Sequence, residues 1–330
     1  MIPLLDLPHA RARSILASGA PVYLPVNPVE YHGPHLSLHN DARVSAGLVR
    51  DIHARLCDGG EDWPLLVAAD LEVGVDPTPG PGTRATSYRD VSRLVVEACR
   101  RLAELGARRV VLMTFHGSPL HGLALDAGVR WLQQRGIPAL SPLNVLLRAM
   151  LDIRAEDYAD AYATVRGDEE RAAMMREAPG DFHAGFFETS LALHYAPESV
   201  DAVHARLPPC PDVVPDSALL AASRASARLG RVTLARELRF AAVGVGWYGL
   251  RPFPAYTSRP HRASREAGAT LARHVVRELS LVTARVLRGE APPAPIMPWM
   301  AHATLRGRVP TGAVPLDAIA RFDALVAPAA

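Results

Sequence analysis

The stretch "PVYLPVNPVEYHGPHLSLHND", residues 21–41, joins an apolar run to a dense group of polar side chains. The apolar part predicts a buried strand over 21–26, and helical periodicity begins at residue 42. Between them the chain carries three imidazoles and two carboxylates, at Glu30, His32, His35, His39 and Asp41. A strand followed by such side chains and then by a helix predicts an α/β fold with a site at the carboxyl end of the strand.

Strand and helix signals alternate through the first half of the chain. Apolar runs indicate further strands at 64–71, 108–115 and, more weakly, 138–143, and helical periods cover 42–57, 88–106, 121–135, 188–196 and 263–287. This alternation predicts a mostly parallel sheet with helices on both faces. After residue 288 the composition changes to "GEAPPAPIMPWM", so we predict one domain over 1–288 and a proline-rich C-terminal extension over 289–330.

Charge composition excludes several classes of function. The 36 basic residues are all arginine, which rules out a Walker A lysine, a Schiff-base lysine and a lysine general base. With 34 acidic residues the formal net charge is +2, and no polybasic run is present. The sequence therefore predicts neither nucleic acid nor a membrane surface as a partner.

Cysteine usage and the N-terminus predict a cytoplasmic location. Cys57, Cys99 and Cys210 stand far apart and form no CxxC pair, which argues against a structural zinc site or a disulfide framework. The N-terminal residues lack the pattern of a signal peptide, and no apolar run reaches the roughly 18 residues needed to span a bilayer.

Two later motifs add side chains of the same type. In "TFHGSPLHG", His116 follows a predicted strand and precedes a glycine that permits a sharp turn. In "DFHAGFFETS", His183 and Glu188 are five residues apart, which would place them about 140° apart on one helix. We therefore expect His183 to precede the helix and Glu188 to point inward from its first turn.

Glutamate, aspartate and histidine together are the ligands of borderline and hard divalent metals, and one aspartate can bridge two ions. Asp41 has an alternative interpretation, because a residue at the start of a helix is also a typical N-cap. Glu30 and His32, which lie close to Asp41 in the sequence, are also ligand-type residues, and this favours the metal hypothesis.

These motifs resemble the creatininase (creatinine amidohydrolase) family. "LPVNPVEYHGPHLSLHND" is similar to a family pattern LPVGSxEQHGPHLPLxTD, "HAGFFETS" to HAGxxETS and, less closely, "TFHGSP" to NGHGGN. The similarity runs from about residue 22 to 288 and implies a creatininase-like α/β fold. It also implies a hydrolase that cleaves amide, lactam or formamide C–N bonds with a metal-activated water.

The resemblance further implies roles for individual residues. Glu30 and His116 match ligands of one metal, His32 and Glu188 match ligands of the other, and Asp41 matches the bridging carboxylate. His183 matches a catalytic histidine. The expected cofactors are two divalent ions per chain, zinc, manganese or iron, and the expected assembly is a homo-oligomer, a hexamer by resemblance.

Three residues are expected beside the substrate or behind the metal ligands. They are His35, Ser118, which stands where creatininase carries an acidic residue, and Arg84, whose "DPTPGPGTRATS" segment could cradle an anion. His39 and His121 are expected to be surface or support residues.

Substrate identity does not transfer from the resemblance. Creatinine-hydrolysing members close tryptophans over the ring, but this chain has no tryptophan between 140 and 183. We therefore expect a small-molecule or peptide-like amide other than creatinine. A hydrolase that trims a modified peptide, a deformylase of a ribosylaminopyrimidine and an inactive binding relative remain alternatives, although retention of every ligand-type residue favours an active enzyme.

Overall fold

Five short strands form one parallel sheet in the computed structural model, which describes residues 1–68, 70–309, 312, 314–322 and 325. They are β1 (Ile2–Pro3), β2 (Val22–Pro25), β3 (Leu66–Val67), β4 (Val110–Met113) and β5 (Ala139–Leu140), in the spatial order β1-β3-β2-β4-β5. Val22 lies opposite both Leu66 and Val110. The mostly parallel sheet is therefore confirmed, although its strands are shorter than the apolar runs that predicted them.

Twelve α-helices accompany the sheet in the described part of the chain. They are α1 (His9–Leu16), α2 (Asn40–Cys57), α3 (Tyr88–Leu105), α4 (Pro119–Gln133), α5 (Leu143–Met150), α6 (Ala159–Tyr162), α7 (Asp168–Glu177), α8 (Phe186–Tyr195), α9 (Ser217–Arg228), α10 (Val232–Tyr248), α11 (Arg265–Leu287) and α12 (Met300–Ala303). None of them is long and apolar enough to cross a membrane.

Strand order explains why helices cover both faces of the sheet. The chain moves from β2 through α2 to β3 on one side, and from β3 through α3 to β4 in the opposite direction. Right-handed crossovers that run in opposite directions place their helices on opposite faces. The contacts agree, because α3 packs on α4 whereas α2 packs on α8 and α11.

The switch in crossover direction creates the crevice that matters for function. After β2 the chain turns towards β3, and after β4 it turns the other way towards β5. Between the carboxyl ends of two such neighbouring strands no connection closes the sheet edge, which is where α/β sheets bind ligands.

The later part of the chain contains structure that periodicity did not predict. Helices α9 and α10 pack against each other as a hairpin, and the segment after α11 returns to the main core, where Ile296, Met297 and Met300 are buried. The division of the chain at residue 288 stays a prediction.

Close packing of α8 on α11 yields a stability prediction. A Cβ at Gly268 of α11 would clash with the backbone carbonyl oxygen of Ser190 on α8. Helix propensity alone would favour alanine, but this contact should make Gly268→Ala cost about 1–3 kcal/mol in the free energy of unfolding.

Urea denaturation measures this cost, and Gly244→Ala in α10 is the matched control. A Cβ at Gly244 meets no atom within 4 Å, so the control should gain about 0.5–1 kcal/mol. Equal behaviour of the two variants would show that α8 and α11 are not packed this closely.

Candidate metal centre

The crevice between β2 and β4 collects polar side chains from four parts of the chain. Glu30 and His32 follow β2, His116 follows β4, Asp41 lies in the first turn of α2, and Glu188 lies in the first turn of α8. All five are buried. The fold thus brings together residues separated by up to 158 positions (188 minus 30) along the sequence.

One half of the cluster consists of Glu30, Asp41 and His116. His116 Nδ1 lies 2.7 Å from Glu30 Oε2 and 3.8 Å from Asp41 Oδ2. On the other side of the ring, Nε2–H donates to the carbonyl oxygen of Val75 at 2.9 Å. That bond fixes the tautomer and turns Nδ1 towards the carboxylates, as in many metal-ligating histidines.

The other half consists of His32, Asp41 and Glu188. His32 Nε2 lies 3.3 Å from both Asp41 Oδ1 and Glu188 Oε1. Its Nδ1–H donates to the carbonyl oxygen of Glu30 at 3.0 Å. Both histidines therefore present one ring nitrogen to carboxylates while a backbone carbonyl holds the other.

Asp41 belongs to both halves. One carboxylate oxygen faces His32 and the other faces His116, and Oδ2 has no hydrogen-bond partner in the described part of the chain. Helix α2 begins one residue earlier, at Asn40, and His39 occupies the N-cap position. Asp41 thus lies inside the helix with its carboxylate turned into the cluster, and the capping interpretation does not describe it.

Backbone and amide donors hold the two glutamates in place. Thr78 N–H donates to Glu30 Oε1 at 2.6 Å. Asn40 Nδ2 donates to Glu188 Oε1 at 2.8 Å, and Ala184 N–H donates to Glu188 Oε2 at 2.6 Å. Ala184 has a positive φ of 48°, and this turn aims its N–H at the carboxylate.

The carboxylates of the cluster favour positive charge beside them. Burial raises the pKa of Asp41 to about 6, against the opposing effect of His32. Burial alone would lower the pKa of His116, but Glu30 beside it raises that pKa to about 9. Burial likewise opposes the charge on His32, yet Glu188 and Asp41 hold its pKa well above the usual value.

Three buried carboxylates therefore share a crevice with two imidazoles that gain from being cationic. A divalent cation meets the same demand and also provides a partner for the free oxygen of Asp41. The donor set fits a metal.

His183 lies beside the cluster, in the turn before α8. Its ring stacks on that of His32 with centroids 4.4 Å apart. Nε2–H donates to the carbonyl oxygen of Tyr31 at 3.2 Å, and Nδ1 lies 3.9 Å from Glu30 Oε1. Burial lowers its pKa to about 4, so the ring is neutral at pH 7.

The position of His183 agrees with the expectation that it precedes the helix. However, ligand atoms of Glu30, His32 and His183 also lie within 4.8 Å of one another. The geometry thus permits His183 to act as a ligand as well as a proton carrier.

The structure brings His35 and Ser118 to the site but not Arg84. His35 is buried behind Glu188, where Nε2–H donates to the hydroxyl of Thr189 at 2.9 Å. Ser118 caps α4 through His121 N–H at 3.4 Å and lines the cavity described below. The Arg84 side chain is 60% exposed, pairs with Glu72 at 2.7 Å and does not line that cavity.

The two remaining histidines of the motifs have different surroundings. His39 is on the surface, 3.3 Å from Glu72. His121 is fully buried, donates to the carbonyl oxygen of Val26 at 3.1 Å and packs edge-on against the ring of His116. It packs behind the cluster, against His116.

A cavity of about 270 Å³ opens from the cluster. Its far wall was not predicted and is built from apolar side chains of α5, α10 and the C-terminal segment, namely Leu143, Leu146, Leu147, Met150, Phe240, Trp247, Met297, Trp299 and Met300. Two tryptophans thus reach the site from outside 140–183. No spacing rule links these segments, so sequence patterns could not have identified them.

Comparison with known proteins places this architecture in a family. The family model for creatininases, described as creatinine amidohydrolase, matches residues 6–282. A mycofactocin precursor peptide peptidase from Mycobacterium tuberculosis (strain CDC 1551 / Oshkosh) is 28% identical over 202 residues, which cover 59% of this chain and 66% of the relative. A creatinine amidohydrolase from Pseudomonas putida is 25% identical over 202 residues, which cover 57% of this chain and 68% of the relative. The chain thus spans just under two thirds of the length of the mycofactocin relative and just over two thirds of the creatinine amidohydrolase.

Solved structures show the same fold. A crystal structure of creatinine amidohydrolase (creatininase) matches with a TM-score of 0.54 and 22% identity, covering 86% of this chain and 97% of that one. A creatininase variant of Zn–Zn type and a manganese creatininase match with TM-scores of 0.52 and 0.51, each at 22% identity. With the family match extending over residues 6–282, this chain belongs to the creatininase family.

Proposed function

We propose that this protein is a metal-dependent amidohydrolase that cleaves an unactivated C–N bond with water at a two-metal site. The observation that carries the proposal is the pair of ligand sets, Glu30–Asp41–His116 and His32–Asp41–Glu188, which share one carboxylate. Two such sets that share a carboxylate would hold two divalent ions side by side, as hydrolytic two-metal sites do.

Each set would hold one divalent ion. The donors are nitrogen and oxygen without thiolate, which suits zinc, manganese or iron. The existence of zinc and manganese forms among the structural neighbours supports the first two. The second ring nitrogen of each histidine is already bonded to a backbone carbonyl, so the ligand atoms are oriented before a metal arrives.

Divalent ions held by these residues would supply a water that is nucleophilic at neutral pH and would polarise the amide carbonyl. The protein side chains supply the rest. Glu30 and Glu188 are fixed by backbone and amide donors, which keeps the reaction geometry rigid. The apolar far wall would reduce the amount of water around a bound amide.

His183 would carry the proton. Its Nε2–H is engaged with the carbonyl oxygen of Tyr31, so Nδ1 is the atom with a free lone pair, and it faces Glu30. We infer that Nδ1 accepts a proton from the attacking water and delivers it to the leaving nitrogen. Removing such a group costs on the order of 10²–10⁴-fold in rate.

The substrate is expected to differ from creatinine. Ser118 uses its hydroxyl to cap α4, in place of the acidic residue of creatininase. The far wall is apolar and the cavity is larger than a small polar ring requires.

A second candidate is a hydrolase that trims a modified peptide. Similarity to mycofactocin precursor peptide peptidases favours it. The same metal centre would serve both reactions, since each breaks an amide bond. The cytoplasmic location and the homo-oligomer stay predictions.

The first test of this proposal is metal content. Protein prepared without chelator should contain close to two divalent ions per chain by elemental analysis. Asp41→Ala should lose both ions together with amide hydrolysis, because Asp41 is the only carboxylate common to the two ligand sets. Wild-type protein that takes up no metal on titration would leave only the inactive binding relative.

Asp41→Asn is the control that separates a ligand from a structural residue. In chelator the variant should unfold at a higher temperature than wild type, because it removes one of three buried carboxylates that repel each other. With zinc present the order should reverse, since only wild type is stabilised by bound metal. A variant that is less stable under both conditions would mean that Asp41 has a structural role alone.

The second test concerns His183. His183→Ala should keep both ions and lose about 10²–10⁴-fold in turnover. His183→Asn can keep a hydrogen bond but carries no proton at neutral pH, so it should be nearly as slow. Loss of one ion in step with activity would instead make His183 a ligand, the alternative that its distance to Glu30 and His32 permits.

A further inference from the structure

The far wall of the cavity includes residues beyond the part of the chain that matches the family. The match ends at residue 282, whereas Met297, Trp299, Met300 and Thr304 line the same cavity as the metal ligands. This segment, residues 296–304, is called the closing segment below. The closing segment lies outside the part of the chain that the family match covers, whereas the residues of α5 and α10 in the far wall lie inside it.

A buried carboxylate holds the closing segment on α10. Glu237 is 6% exposed. Its Oε1 accepts from Met297 N–H at 2.9 Å, and its Oε2 accepts from the Trp299 indole Nε1–H at 2.9 Å. Each carboxylate oxygen of Glu237 therefore accepts a hydrogen bond from the closing segment. One bond fixes the backbone at Met297 and the other fixes the side chain of Trp299.

Helix α10 is in turn tied to the metal centre. Trp247 is 2% exposed and donates Nε1–H to the carbonyl oxygen of Tyr256 at 3.0 Å. The centroid of its ring lies 5.4 Å from that of the His183 ring and 5.3 Å from that of the Phe182 ring. The Phe182 ring in turn packs against the Phe240 ring, with centroids 5.8 Å apart. An aromatic surface thus runs from His183 along α10 towards the closing segment.

The two sides of the cavity differ in chemistry. Among the described residues that line it, α5, α10 and the closing segment contribute no charged side chain, whereas the metal ligands, Asp76 and Asp181 carry carboxylates or imidazoles. An engineered apolar cavity of about 150 Å³ is enough to hold benzene, and this cavity measures about 270 Å³. There is room for a phenyl-sized group beyond an amide at the metal centre.

We propose that this wall binds a large apolar group, aromatic or branched aliphatic, next to the scissile amide, and that Glu237 is the positioning residue that holds the closing segment in place. The inference rests on the proposed function for the location of the amide. It names the substrate class that the site selects.

Two hydroxamates that differ only in their apolar part test the proposal. Acetohydroxamate and 3-phenylpropionohydroxamate carry the same metal-binding group, and calorimetry on zinc-loaded protein gives their dissociation constants. Burial of the phenyl group should make the second bind about 10- to 100-fold more tightly. Equal affinities would overturn the inference.

The same titrations in chelator separate this inference from the proposed function. Without metal, 3-phenylpropionohydroxamate should still bind, more weakly, because the wall is intact, whereas acetohydroxamate should not bind. Protein that takes up no zinc but still binds 3-phenylpropionohydroxamate more tightly than acetohydroxamate would contradict the two-metal proposal alone. Protein that takes up zinc and shows no preference in either condition would contradict the wall alone.

Gly244 offers a way to fill the cavity without disturbing the fold. It lines the cavity on the same helical face as Phe240 and Tyr248, and a Cβ there meets no atom within 4 Å. Gly244→Leu should weaken 3-phenylpropionohydroxamate at least 10-fold and leave acetohydroxamate unchanged. The matched control is Ala222→Leu on the exposed side of α9, which should change neither, and a Gly244 variant that behaves like this control would count against the wall.

Glu237→Gln tests the positioning role, with Trp299→Ala as a second variant should the first fail to fold. The glutamine places an N–H donor opposite one of the two donors of the closing segment, so the segment should loosen. The dissociation constant of acetohydroxamate divided by that of 3-phenylpropionohydroxamate should fall several-fold, while the zinc content stays at the wild-type level. Equal weakening of both hydroxamates would show that Glu237 only stabilises the fold.

Discussion

The repulsion among three carboxylates in one dry crevice is the constraint around which this structure is organised. Glu30, Asp41 and Glu188 come from three separate elements and have little access to water. Burying a charge without a counterion is costly, so each carboxylate needs fixed donors and a cationic partner. The backbone donors at Thr78 and Ala184 and the two oriented imidazoles meet part of that need. The remainder is what a pair of divalent ions would supply.

Much of this centre could be predicted from the sequence because its parts are local. Glu30, His32 and Asp41 lie within twelve consecutive positions, 30 to 41, and follow a strand directly. The carboxyl ends of parallel strands meet at one edge of the sheet, so His116, which follows another strand, was expected to lie close to these three residues. The helical angle between His183 and Glu188 separated a residue before α8 from one inside it. The strands were overestimated because apolar runs mark burial, whereas the regular pairing is shorter: after β2 and β3 it continues among the described residues only as the isolated bridge between Val26 and Leu71.

The far wall could not be predicted because it depends on long-range packing. Trp247, Glu237 and Trp299 belong to segments that share no period with the motifs, and a glutamate in an amphipathic helix ordinarily indicates a solvent-exposed position. Glu237 is buried only because the closing segment returns to α10. The proline-rich composition after residue 288 predicted a C-terminal extension, yet composition carries no information about which surface that segment covers.

The position of the closing segment also sets an order of events during synthesis. All the proposed metal ligands have been translated by residue 188, whereas the last part of the cavity wall follows at 296–304. A ribosome therefore completes the ligand set more than one hundred residues before it completes the wall. We expect a nascent chain halted after α11 to hold an open, water-filled crevice in which carbonyl groups of any size have access to the ligands. Selectivity in this protein would then be acquired later in synthesis than the capacity to bind metal.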